Sequence, residues 1–433
     1  MLPIKLIREN PQYIKEIYKK RNYKFSIDKV IKLDEEKRNI TFQVDDLRAN
    51  RRRSTKNISS NINQKEKQEI IDSQKEISAL IHTHEESLRI INEQLNNLLL
   101  EMPNILSDDV QEGTEEDAQI IEEGIGHQVI KIKENAKVSD VPLKNSYPTV
   151  PEHWEIGKEL KIIDFERGVK ISGQRFYVLM GDGAKLQRSL IFWMLETHTE
   201  RGYSEVYPPA LIKEDMLYGT AQLPKFGDNL YKDIEEDLWL VPTAEVPVTN
   251  LYRDEILSFQ SIPIKHVAYT PCFRREKMSA GKEVKGIKRG HQFDKVELVN
   301  FSYPNESASL HQQLLQDSLF IVKELNLHYR VIQLAASDTS FASSKTYDIE
   351  VWASGSKEWL EVSSVSNFLD FQTRRANIKF KDELGNNKYL HTLNASGLAL
   401  PRTLAALMEQ NYKNGSITVP EVLIPLMKKN SIN

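Results

Sequence analysis

The chain has 433 residues, 40% hydrophobic and 28% charged, which allows two domains and at least one substantial core. Its formal net charge is −4, so it is no polycation, and any nucleic-acid contact must come from a local basic patch. A single cysteine, Cys272, excludes an internal disulfide framework and a thiolate zinc site, and points to a reducing compartment, most simply the cytoplasm.

The first 25 residues are basic but carry Glu9 and Glu16 and contain no apolar core segment. They read as neither a secretory signal nor a transit peptide. No run of about 18 apolar residues occurs, which argues against a membrane span. From Ser26 to Met102 the chain contains neither glycine nor proline. Two apolar series recur there in steps of three, four and seven: Val30, Leu33, Ile40, Val44, Leu47, and then Ile70, Ile77, Ile81, Leu88, Ile91, Leu95, Leu98, Met102. That is the seam of a coiled coil. With the polar stretch 57–68 as a reversal, the pattern predicts an antiparallel two-helix arm, each helix about 50 Å long at ~1.5 Å per residue. Near its tip stand Arg48, Arg51, Arg52, Arg53 and Lys56. A solvated face is the ordinary reading of such a run. At the end of a projecting arm, contact with a phosphate backbone is the better one.

The helical pattern ends at Met102-Pro103-Asn104, and the acidic stretch 107–124 reads as a linker or surface excursion. Beyond His153, strand-like runs at 175–180, 238–242, 266–273, 295–301 and 328–334 alternate with helical stretches at Ala184–His198 and Glu306–Leu325. There is no Gly-rich dinucleotide or P-loop signature. The expected fold class is α+β: an antiparallel sheet flanked by helices, preceded by the arm. The expected divisions are an N-terminal domain over 1–104 with the arm at about 26–102, a linker and entry segment over 105–150, and a catalytic domain over 151–433.

Between two of the strand-like runs lies Phe273-Arg274-Arg275-Glu276, then a polar loop, then His291-Gln292-Phe293. Period-2 alternation puts Arg274 and Glu276 on one strand face beside apolar neighbours, where charges need partners. An arginine fork suits a phosphate or carboxylate, and a glutamate suits an exocyclic amine.

The segment from Thr270 to Val299, TPCFRREKMSAGKEVKGIKRGHQFDKVELV, resembles motif 2 of seryl-tRNA synthetases. The resemblance covers almost the whole chain: 202–226 is similar to motif 1, 240–257 to a serine-binding TAE loop, 359–381 to the strand with a metal site, and 392–411 to motif 3. The arm resembles the family's tRNA-binding arm. The resemblance implies ATP, L-serine and tRNA(Ser) as substrates, with tRNA(Sec) as a further candidate, and a homodimer. It implies that Arg274 and Arg402 are catalytic, and that Arg274, Arg275, Glu276, Phe293, Glu361, Val362, Ser363, Ser364 and Arg402 bind ATP. Thr243, Ala244, Glu245, Arg274, Glu297 and Ser396 would bind serine, and Glu361 and Ser364 would hold Mg²⁺. Arg48, Arg51, Arg52, Arg53 and Lys56 would meet tRNA.

Several positions depart from the family pattern: Lys277-Met278, Thr339-Ser340, Pro401, and above all Ala395, whose added methyl is placed to crowd the serine pocket or demand negative φ. Two other readings stay open. A relative of the same fold could charge a carrier protein or use another small amino acid, which the arm and TAE loop argue against. A catalytically silent tRNA-binding homologue would have lost Arg274, Glu276, Glu361 or Arg402, and all four are present.

Overall fold

A computed structural model describes residues 1–56, 64–141, 150–277 and 285–433. These form two compact units, one of Met1–Lys19 with Tyr23–Pro103 and the other of Lys20–Asn22 with Asn104–Asn433.

The first unit is helical: Ile4–Glu9, Pro11–Lys20, and the long helices Ile27–Lys56 and Gln64–Glu101. The long pair run antiparallel, since Arg48 donates to Glu85 at 2.7 Å while Gln74, earlier on the second helix, donates to the Arg51 carbonyl further along the first. Val30, Val44, Ile81, Ile91, Leu95 and Met102 bury the expected seam. Near the end of the second helix Leu99 is buried, whereas Leu98 is only half-buried. At the base of the arm Asp34 is 2% exposed, and Arg8 grips both its oxygens at 2.7 and 3.0 Å. The predicted reversal falls largely on 57–63, outside the described residues.

The second unit is built on nine strands: β1 (Gln119–Ile125), β2 (Gln128–Ile130), β3 (Ser204–Val206), β4 (Ile264–Phe273), β5 (Gln292–Ser302), β6 (His328–Gln333), β7 (Lys345–Ala353), β8 (Glu358–Leu369) and β9 (His391–Ala399). Their order is β2-β1-β6-β7-β8-β9-β5-β4-β3, antiparallel throughout except for the β3–β4 pair. The helices Gly181–Glu200, Ser307–Glu324 and Leu400–Asn411 cover one face, where Leu190, Met194, Leu315, Val322, Leu404 and Met408 pack on Val296, Leu298, Val362, Leu393 and Leu398. Alternation makes these strand positions apolar on the helix side and leaves the opposite face free for polar residues.

Two expectations change here. The acidic stretch 107–124 does not remain a linker throughout: its end enters the sheet as β1, where Ile120 is buried and Gly124 lies against the Tyr329 ring. The run 175–180 is strand only at Val178–Leu179.

The pairing of β8 with β9 covers only 366–369 against 392–394. Beyond that point neither strand completes the other's ladder, and a cleft opens on the polar face.

Candidate active site

The cleft holds a cavity of roughly 440 Å³ whose lining includes Thr243, Glu245, Arg274, Glu276, Phe293, Glu297, Glu361, Val362, Ser364, Ser396 and Arg402. Residues far apart in sequence thus meet on one wall. Arg275, Ala244 and Ser363 lie outside it.

Two β-bulges make this convergence possible. Glu361 and Ser364 are three apart, so strict alternation would put them on opposite faces. In the β7–β8 pair the register jumps from Ile349↔Ser363 to Glu350↔Glu361. The extra residue breaks the alternation and returns Glu361 to the side that Ser364 occupies. In the β5–β9 pair the register jumps from Val296↔Leu398 to Glu297↔Ser396, leaving Gly397 unpaired. A Cβ on Gly397 would meet His198 Nε2 at 2.8 Å, so the bulge needs glycine there.

That second bulge also settles Ala395. It is fully buried in the apolar core on the helix side, while Asn394 and Ser396 line the cavity. Its methyl therefore does not crowd the pocket, and its backbone has no positive φ. Ser363, expected at the nucleotide, instead braces the site from behind: its hydroxyl and that of Ser318 each donate to the Ser396 carbonyl at 2.7 Å. These bonds replace a ladder partner that the parted strands do not supply.

Arg274 follows the end of β4. Its Nε donates to the Pro242 carbonyl at 3.2 Å, and its guanidinium stands 5.1 Å from the Phe293 ring centroid. Alternation does not explain Glu276, because the strand stops at Phe273 and Glu276 adopts φ +49°. Glu276 still lines the cavity, with Arg289 at 3.7 Å from its carboxylate. Arg275 turns elsewhere, donating to the Leu230 carbonyl at 2.8 Å and stacking 4.4 Å over Tyr231. It is placed to hold a wall segment rather than a ligand. His291 belongs to the same brace, with Nδ1 2.5 Å from the Tyr231 hydroxyl. Met278 of the departing pair Lys277-Met278 lies outside the described residues.

Thr243 and Glu245 share the cavity through a helix start, not a strand. Ala244 is already helical, Glu245 opens the helix Glu245–Thr249, and the Glu245 amide donates to Thr243 Oγ1 at 3.2 Å. Glu245 is 7% exposed and Glu297 1%. Burial, and then the charge of Glu297, push the Glu245 carboxyl up to about 7, while donation from Gln372 pulls the other way. Burial also raises Glu297, against the pull of Lys295 and Arg274.

Sequence patterns do not single out three further groups. Lys295 Nζ lies 2.6 Å from Glu297 Oε2, Asn394 donates to Glu297 Oε1 at 3.1 Å, and Gln372 donates to Glu245 Oε1 at 2.6 Å. Two-residue spacing from Glu297 and Ser396 marks the first two as face-mates. No local signal marks Gln372. Ser396 donates to Glu297 Oε2 at 3.4 Å.

At the other end, Arg402 donates to the Glu361 carbonyl at 2.8 Å and to its carboxylate at 3.2 Å. Pro401 occupies the first turn of the helix Leu400–Asn411, where its missing N–H costs nothing. Thr339 is buried and donates to the Ala335 carbonyl, and Ser340 lines the cavity. Glu361 and Ser364 offer a carboxylate and a hydroxyl oxygen on one wall, hard donors that fit Mg²⁺. Among the described residues no cluster of three or more His, Cys, Asp or Glu side chains could hold a metal alone, so an ion here needs ligand oxygens as well.

On the first unit's arm, Arg51, Arg52 and Arg53 are exposed, whereas Arg48 is engaged by Glu85. Lys56 ends its helix. No helix among the described residues is long and apolar enough to cross a membrane.

An antiparallel sheet with parted central strands, an arginine at the end of β4 and another opening the final long helix define a class II synthetase core. Residues 228–411 match the family of the tRNA synthetase class II core domain (G, H, P, S and T), and residues 1–106 match the seryl-tRNA synthetase N-terminal domain. The chain is 48% identical to a serine–tRNA ligase of Thermomicrobium roseum, over 99% of this chain and 93% of that one. It is 46% identical to that of Chloroflexus aurantiacus, over 99% and 98%. It also superposes on seryl-tRNA synthetase from Pyrococcus horikoshii complexed with ATP, with TM-score 0.89, 30% identity and coverage of 100% and 99%. The chain belongs to the seryl-tRNA synthetase family.

Proposed function

We propose that the cavity activates L-serine with ATP as seryl-adenylate and that the chain then transfers serine to the terminal adenosine of tRNA(Ser). Family membership supports the coarse activity, an ATP-dependent serine–tRNA ligase. The observation that carries the finer reading is the trio of Arg274, Glu245 and Glu297 in one cavity. A cation for a carboxylate, a buried carboxylate for an ammonium and a second for a hydroxyl make a three-point fit to serine.

In the first step the serine carboxylate attacks the α-phosphorus of ATP and pyrophosphate departs. Arg274, between the two anions, neutralises charge that grows in the transition state. Phe293 and Arg402 offer flat faces for the adenine base, and Glu276 an acceptor for its amino group. Glu361 and Ser364 would hold Mg²⁺, which supplies charge neutralisation to the phosphates when bound. In the second step the tRNA hydroxyl attacks the activated carbonyl and loses its proton as the acyl–phosphate bond breaks and AMP departs. No protein nucleophile is required, so positioning and electrostatics dominate.

The arm's exposed arginines are read as the tRNA contact, with tRNA(Sec) a second acceptor to test. Tyr207, 87% exposed in the motif 1 region, and Phe192, 51% exposed on the preceding helix Gly181–Glu200, suit a homodimer contact. Purified chain should release pyrophosphate from ATP when serine is present and tRNA absent, and sediment as a dimer. Serine-independent release overturns the activation reading, and a monomer at working concentration overturns the dimer.

A further inference from the structure

We propose that Gln372 is a positioning residue for Glu245, and that Thr392 supports it by holding the far end of its amide. This rests on the reading that Glu245 receives the serine ammonium.

Gln372 and Thr392 are each 1% exposed, and neither lines the cavity. Gln372 sits on the short helix Phe371–Ala376, and Thr392 on β9. The Thr392 hydroxyl donates to Gln372 Oε1 at 2.6 Å, and Gln372 Nε2 donates to Glu245 Oε1 at 2.6 Å. The Thr392 hydroxyl can donate or accept, but an ionised Glu245 only accepts, so the amide turns its NH₂ to the carboxylate and its Oε1 to Thr392. With the NH₂ toward Glu245, one carboxylate oxygen is fixed by a donor and the other is left for a ligand. Were the amide reversed, its carbonyl would face the carboxylate, and two acceptors would meet unless Glu245 held a proton. Orientation of the amide and ionisation of Glu245 are therefore linked.

The surrounding charges make this link matter. Glu297 and Lys295 face Glu245 from β5, and Arg274 from the end of β4. Arg375, on the same short helix as Gln372, donates instead to the Tyr218 and Leu223 carbonyls. Burial and Glu297 hold the Glu245 carboxyl up at about 7, and Gln372 is the leading group that lowers it. The sign follows. A bound ammonium needs Glu245 ionised, so serine affinity falls as pH drops through about 7. Removing the amide donor moves that fall to higher pH.

The test is full-length Gln372→Met, which keeps length and removes the donor, beside Thr392→Val. Serine and ATP KM, kcat for pyrophosphate exchange and melting temperature would be measured from pH 6 to 9. The expected result for Gln372→Met is a serine KM raised about tenfold or more at pH 7, the scale of one missing hydrogen bond to a charged group. ATP KM should hold, and the defect should narrow toward pH 9. Thr392→Val should shift serine KM in the same sense by less, and it carries the test if Gln372→Met does not fold. A serine KM within twofold of the parent at pH 7, or serine and ATP KM rising together at every pH, overturns the proposal. A parent protein with no serine-dependent exchange overturns the functional reading and this inference with it.

Discussion

The arginines of the helical arm and the charged groups of the sheet cavity work in opposite physical regimes. Arg51, Arg52 and Arg53 stand in solvent, where attraction is screened over about 8–10 Å and many weak contacts add up. Glu245, Glu297 and Lys295 are at most 7% exposed, so each charge depends on a particular partner at a particular distance. The exposed cluster needs only a helix to carry it. The buried cluster needs two bulges, a helix start and a row of hidden hydroxyls and amides. Graded losses should follow from damage to the first, and abrupt ones from damage to the second.

The largest effect is expected at Arg274. On the proposed mechanism Arg274→Ala removes the cation between two anions and should cut serine-dependent pyrophosphate exchange on the order of 10³-fold, the scale of removing one transition-state donor. An exchange rate within tenfold of the parent would remove Arg274 from the chemistry. The arm should behave differently. Replacing Arg51, Arg52 and Arg53 together by Ala should leave exchange unchanged and weaken tRNA binding. The salt dependence should flatten by about one power for each phosphate no longer neutralised. Unchanged tRNA affinity and salt slope would mean the arm is not the reader. The smallest effect belongs to Ala395→Gly. Because its methyl points into the core, the substitution should leave serine KM within about twofold while lowering stability by ~1 kcal/mol, the cost of a glycine in a strand. A marked gain in serine affinity would show that the methyl does reach the pocket.

The arm is legible in the sequence because its physics is local. An apolar repeat over Val30–Met102 without glycine or proline dictates helix, and the helix dictates where the arginines face. Most sheet strands are legible for the same reason, through the β-rich runs within Ile264–Phe273 and Gln292–Ser302. The cavity is legible in residue type by resemblance, but its geometry is not. Alternation predicts Arg274 with Glu276 on a shared strand face, and the resemblance brings Thr243 and Glu245 to serine. Instead a strand end, a left-handed residue and a helix start bring them to the cavity. A bulge has no signature in a period-2 pattern, so the resemblance that sets Ser363 at the nucleotide and Ala395 beside serine carries no sign of which way either side chain faces. Gln372 is 127 residues from Glu245, and only the packing of the short helix Phe371–Ala376 brings it there.

On the proposed reading, buried, partnered carboxylates select the amino acid, with Glu297 reading the hydroxyl. The most direct test is the kcat/KM of pyrophosphate exchange for serine against alanine and threonine. A site whose buried carboxylate awaits a hydroxyl should prefer serine over alanine by about 10³-fold or more, because alanine leaves that group unpaired. Threonine, excluded by space alone, should be rejected less strongly, on the order of 10²-fold. Exchange with alanine within tenfold of serine would contradict this selection by Glu297.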